Sequence, residues 1–111
     1  MTARLGAFAL VLASAAPASA HPGVRVVSST AYCLTGKMSD GSYTRPRSAA
    51  SNSHRLGTKI TLTRPGPGGL RRYVVRDRIG WGSSLDLWTG SCGAAIRYGR
   101  RTAAYRLGWH R

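Results

Sequence analysis

Glutamate is missing from this 111-residue chain, and aspartate occurs three times, at Asp40, Asp77 and Asp86. Any carboxylate chemistry must therefore run through one of those three side chains. Set against 17 Lys and Arg, they leave a formal charge of +14, so most cations have no acidic partner within the chain. Cysteine is scarce as well. Cys33 and Cys92 have no His or Cys at zinc-ligand spacing, which removes the usual closed zinc site. Long apolar runs are lacking, and none beyond the first twenty residues approaches the length that spans a bilayer. No Ser-His-Asp order, nucleotide-binding glycine motif, internal repeat or linker is present.

The first twenty residues, MTARLGAFALVLASAAPASA, have the order of a cleavable export signal. Arg4 gives a positive start, Leu5 to Ala16 is apolar apart from one serine, and Ala18-Ser19-Ala20 is a small-residue cleavage pattern. The apolar part is too short for a stable membrane anchor, and no cysteine follows it to carry a lipid. The expectation is a secreted, extracellular chain of one domain over residues 21–111, acting as a monomer. Export permits Cys33 and Cys92 to pair, and a small core gains much from such a bond; free thiols or metal ligands are the alternatives.

Loss of Arg4 with the leader lowers the charge from +14 to +13, and 14 of the 16 remaining cations are arginine. Arginine suits bidentate pairing with carboxylate and phosphate. A pI near 11.6 usually signals nucleic acid, but an exported protein meets cell-wall polyanions and anionic lipid first. A merely solubilising arginine surface is the plainer alternative.

Val24–Tyr32 reads as a strand, rich in β-branched and aromatic residues. Lys59–Arg64 and Arg71–Ile79 flank the turn Pro65-Gly66-Pro67-Gly68-Gly69 and read as a hairpin. Ser84–Trp88 is a short strand, Thr102–Trp109 a terminal one, and Cys92–Tyr98 the one segment with room for a helix. Ser48–Ser53 is ambiguous. The expected class is all-β, a small barrel with one short helix.

Asp40 precedes Gly41 and reads as a turn residue. Strand alternation puts Asp77 on one face with Tyr73 and Val75. Asp86 lies between Leu85 and Leu87, so with the leucines in the core it points away from them. The glycine-containing loop between the two acids allows them to converge on one groove, the equipment of glycosidic-bond cleavage. Turn capping for Asp77 and an arginine partner for Asp86 are the structural alternative. Of the aromatics, Tyr32 and Trp81 are the candidates to stack on sugar rings. His21, His54 and His110 form no recognisable ligand motif, so no metal or cofactor is expected.

The series Thr30-Ala31-Tyr32-Cys33, Ser39-Asp40-Gly41, Ala49-Ala50, Leu56-Gly57-Thr58-Lys59-Ile60, Val75-Arg76-Asp77-Arg78 and Leu85-Asp86-Leu87-Trp88, followed by Ala94-Ala95 and Gly99-Arg100, resembles the three-aspartate (3D) domain. Its relatives are rare lipoprotein A, the lytic transglycosylase MltA and the first domain of expansins. The resemblance covers about residues 28–107 and implies a six-stranded double-psi β-barrel with a groove for peptidoglycan or a related anionic wall glycan. It implies Asp86 as the acid that then acts as base, with Asp77 beside it, and a wall-associated location. Expansins keep an aspartate at this place without clear hydrolysis, so a non-catalytic wall-binding barrel is the second implied reading. The family's first aspartate has no counterpart here: that stretch is Ala49-Ala50-Ser51-Asn52-Ser53-His54. Ser51 and Asn52 are the candidates to hydrogen-bond in its place, and Thr30, Tyr32 and Trp81 complete the expected substrate-binding set.

Overall fold

The computed structural model describes residues 23–111. The export signal expected over residues 1–20, and His21, lie outside these residues. Six strands close into a mixed barrel: β1 (Val24–Tyr32), β2 (Ser48–Ala50), β3 (Lys59–Leu62), β4 (Arg72–Asp77), β5 (Leu85–Trp88) and β6 (Arg101–Leu107). One helix, α1 (Cys92–Tyr98), and a 3-10 turn at Pro67–Gly69 complete the regular structure. Around the barrel the order is β1-β5-β2-β4-β3-β6. β1 runs parallel to β5 and β2 parallel to β4, while the other neighbours are antiparallel. The expected hairpin is β3–β4, folded around the proline-glycine turn. The ambiguous segment at residue 48 supplies the short β2, buried at all three of its residues.

Alternation fills the interior. Ala49, Ile60, Leu62, Tyr73, Leu85, Leu87, Tyr98 and Tyr105 form the buried core, with Val27 and Ala31 packed against it. On β5 the two leucines therefore face inward and Asp86 outward, as the sequence requires. Cys33 and Cys92 are bonded, tying the end of β1 to the first residue of α1. Ser91 caps that helix, its Oγ accepting from the Ala94 amide at 3.1 Å. No described helix is long and apolar enough to cross a membrane.

A row of four strands as the candidate active site

Strand register brings the acids together. Thr30 on β1 lies opposite Asp86 on β5, Asp86 lies opposite Ala50 on β2, and Ala50 lies opposite Asp77 on β4. Four adjacent strands thus place Thr30, Asp86, Ala50 and Asp77 in one transverse row. The Asp86 and Asp77 backbones stand two strand spacings apart, about 9–10 Å.

One irregularity makes this possible. Ala49 pairs with Val75 but Ala50 pairs with Asp77, so Arg76 is an extra residue in the β4 ladder. Simple alternation would leave Asp77 facing the same way as Tyr73 and Val75, both fully buried. The bulge breaks that alternation and brings Asp77 opposite Ala50, into the row of Asp86. The shared face expected for Tyr73, Val75 and Asp77 is corrected accordingly.

The two carboxylates are held differently. Asp77 Oδ1 accepts from the Ser39 amide (3.0 Å), the Ser39 hydroxyl (2.8 Å) and the Arg78 amide (2.8 Å). Asp86 is half-buried, and Thr30 Oγ1 donates to its Oδ1 at 3.0 Å. Because that bond uses the one Thr30 proton, Ser83 Oγ, 2.7 Å away, donates to Thr30 in turn. Burial pushes the Asp86 carboxyl above its ordinary value; the Thr30 hydrogen bond pulls it back, and the negative charge of Asp77 raises it again. No arginine is among these influences. Asp40, by contrast, accepts from the Ser42 amide and hydroxyl, which lower its pKa in an exposed turn.

Tyr32 follows Thr30 on the same face of β1, opposite Trp88. Its hydroxyl is buried without a hydrogen-bond partner of good geometry among the described residues, although Asp77 is near enough to act on it. Burial, then the charges of Asp77 and Asp86, raise its pKa, so it remains a protonated donor. Trp88 is buried and donates Nε1–H to the Leu34 carbonyl. Trp81, flanked by Gly80 and Gly82 in the loop leading to β5, is 92% exposed, an indole with its faces in solvent.

Ser51 and Asn52 do other work. The Asn52 amide donates to the Ile79 carbonyl (2.8 Å) and accepts from the Ile79 amide (3.0 Å), clamping the loop that carries Trp81 and Ser83. Ser51 is buried, its hydroxyl accepting from the Ser53 amide and its carbonyl from Arg78. One donor and one acceptor of the Asn52 amide, and the oxygens of Ser51, are thus engaged within the fold. Ser39 and Ser83, which sequence reasoning did not single out as site residues, are the direct partners of Asp77 and Thr30. Polar loop serines carry no periodicity that would mark them. His54 meets the Tyr105 hydroxyl and His110 the Leu107 carbonyl, and no group of three or more metal-ligating side chains occurs among the described residues.

Surface hollows of about 530 and 220 Å³ lie elsewhere, beside His110 and Tyr98 respectively. Neither Asp77 nor Asp86 lines these hollows. No protein-family model matches the chain, and no curated protein matches it.

Proposed function

We propose that the protein acts outside the cytoplasm on a cell-wall glycan, as a peptidoglycan glycosidase or lytic transglycosylase with Asp86 as its acid–base residue. The observation that carries this reading is the half-buried Asp86, raised above its ordinary pKa, in one row with a second carboxylate. A carboxyl kept protonated toward neutral pH is what a general acid requires. The six-stranded mixed barrel is compatible with the double-psi barrel of the 3D-domain and rare lipoprotein A group, and the motif order supports that kinship. The paired cysteines agree with export, and the charge suits an anionic wall.

In this reading Asp86 gives its proton to the bridging glycosidic oxygen as the bond from the sugar C1 breaks. The oxocarbenium-like carbon is then captured by the 6-hydroxyl of the same sugar, whose proton passes to the Asp86 carboxylate. The product is a 1,6-anhydro end, and the acid is restored. Asp77, fixed by Ser39 and the Arg78 amide, is the second carboxylate of the row. Trp81 offers the sugar an apolar face, and the buried Tyr32 hydroxyl lies beneath the row, next to Asp77.

A second reading rests on Asn52. With its amide engaged by Ile79, Asn52 supplies no carboxylate in place of the acid missing before Leu56, and a barrel that binds wall glycan without cutting it is the alternative. The deciding experiment incubates parent and Asp86→Asn with purified peptidoglycan and analyses soluble fragments. Fragment release by the parent, falling about 10²–10⁴-fold in the variant with wall binding retained, supports the acid–base role. Equal release by both refutes it. Binding by the parent without any release selects the non-catalytic reading.

A further inference from the structure

A cationic hollow of about 220 Å³ lies between the segment after β3 and the start of β6, lined in part by Thr63, Arg64, Tyr98, Arg101 and Thr102. In the barrel order β3 and β6 stand across from β2 and β5, so this hollow is on the opposite side from Asp86. Its central cation is fixed. The Arg101 guanidinium stacks 4.0 Å from the Tyr98 ring centre, and its Nε donates to the Tyr98 carbonyl at 3.0 Å. Tyr98 is itself buried and donates to Ser29 Oγ at 3.0 Å, so the platform under the guanidinium is part of the core. An adjoining hollow shares Tyr98 and Arg101 and adds Arg97.

None of the three aspartates lines either hollow. Asp77 and Asp86 belong to the row described above, and Asp40 is spent on its own turn. Two arginines, Arg64 and Arg101, therefore line the first hollow with Thr63 and Thr102, and no aspartate lines it. A guanidinium already oriented by stacking and by a backbone carbonyl loses little freedom when it binds an anion. The Arg64 guanidinium, the N–H groups of Arg101 not engaged by the Tyr98 and Arg97 carbonyls, and two threonine hydroxyls supply more donors than a two-oxygen carboxylate can accept, and suit a tetrahedral oxyanion with more acceptor oxygens.

We propose that this hollow is a phosphate-binding site, taking one phosphate group of a phosphate-bearing wall polymer on the face opposite Asp86. The site is separate from the glycan row and does not depend on that row being catalytic. It anchors the barrel to a second component of an anionic wall while the acid-bearing face lies free.

The test is a titration of the full domain with inorganic phosphate, with acetate in parallel at matched ionic strength, followed by backbone amide shifts. Saturable shifts should concentrate at residues 63–64 and 101–104, and acetate should produce weaker ones there. Arg64→Ala removes a lining cation, and its phosphate dissociation constant should rise at least about tenfold. Thr102→Val leaves the net charge unchanged and fits a strand, and should weaken binding about fivefold by removing one donor. Arg55→Ala removes an equal charge at a residue that lines neither hollow and should change little, and Asp86→Asn nothing. Shifts that fail to saturate, equal response to acetate, unchanged binding in Thr102→Val, or an Arg55→Ala loss matching that of Arg64→Ala would each overturn the proposal. Arg101→Ala is avoided as the primary probe because Arg101 also holds the carbonyl at the end of α1.

Discussion

Reduction of the Cys33–Cys92 bond offers the sharpest energetic test of how this small barrel is held. The two cysteines are 59 residues apart in sequence and 5.1 Å apart at their Cα atoms. Closing a loop of that length removes conformational freedom from the unfolded chain worth about 4 kcal/mol. In a domain of this size each kcal/mol moves the melting temperature by about 4–8 °C, so the reduced protein should melt about 20 °C lower. The loss should also have a place in the structure. α1 has seven residues, too few to be helical alone, and its remaining anchor is buried Tyr98 with its bond to Ser29. Amides of residues 93–98 should therefore exchange faster on reduction than those of β3 and β4. Thermal unfolding followed by circular dichroism, with and without reductant and in the Cys33→Ser/Cys92→Ser double variant, measures the first effect, and hydrogen exchange measures the second. A melting temperature that moves by less than about 5 °C would refute the loop-entropy reasoning. Exchange that rises equally in α1 and in β4 would refute the local one.

Three further outcomes follow from particular contacts. The folded-state pKa of Asp86 is raised above its unfolded value, so the stabilising effect of its protonation is full below the unfolded pKa and lost as pH rises through the folded one. Asp86→Asn should therefore melt above the parent at pH 7, with a margin that shrinks as the pH is lowered through the folded value to the usual carboxylate value of about 4 and stays constant below it; a margin that grows on acidification would contradict the sign. Gly66→Ala should destabilise by about 1–3 kcal/mol in urea unfolding, because a Cβ there would meet Tyr73 Oη at 2.9 Å and Leu62 Cδ1 at 3.0 Å, both in the core; a change within about 0.5 kcal/mol would show that the core yields. Retention of the domain on isolated walls should weaken as salt approaches about 0.1 M, where the Debye length is about 10 Å; retention indifferent to salt would assign binding to shape and stacking.

Much of the barrel was written in local chemistry. The β-branched run at Val24–Tyr32, the apolar alternation on either side of Pro65–Gly69 and the short helix at Cys92–Tyr98 are where the sequence places them. Each depends on neighbours within a few residues. The ambiguity of Ser48–Ala50 has the same origin: three small residues show no period, and they become a strand because β4 and β5 pair on either side. The outward direction of Asp86 was also legible, since Leu85 and Leu87 leave it one face.

The direction of Asp77 was not legible. It depends on the extra residue in β4, and a bulge is set by pairing with a strand more than twenty residues away. The same limit governs Asn52, which reads as a free amide in sequence and becomes a clamp only when Ile79 is folded against it. It governs Asp86 most of all. In the sequence a neighbouring carboxylate and a field of arginines pull the Asp86 pKa in opposite directions, and residue type alone does not decide between them. Burial beside Asp77, with one threonine donor, raises it. The sequence by itself determined the strands, the cysteines available to pair and the three acids available for chemistry, because these follow from residue type and spacing along the chain. Which acids share a row, which polar groups are engaged and which carboxyl has its pKa raised were decided by tertiary structure alone, because desolvation and charge coupling act through space.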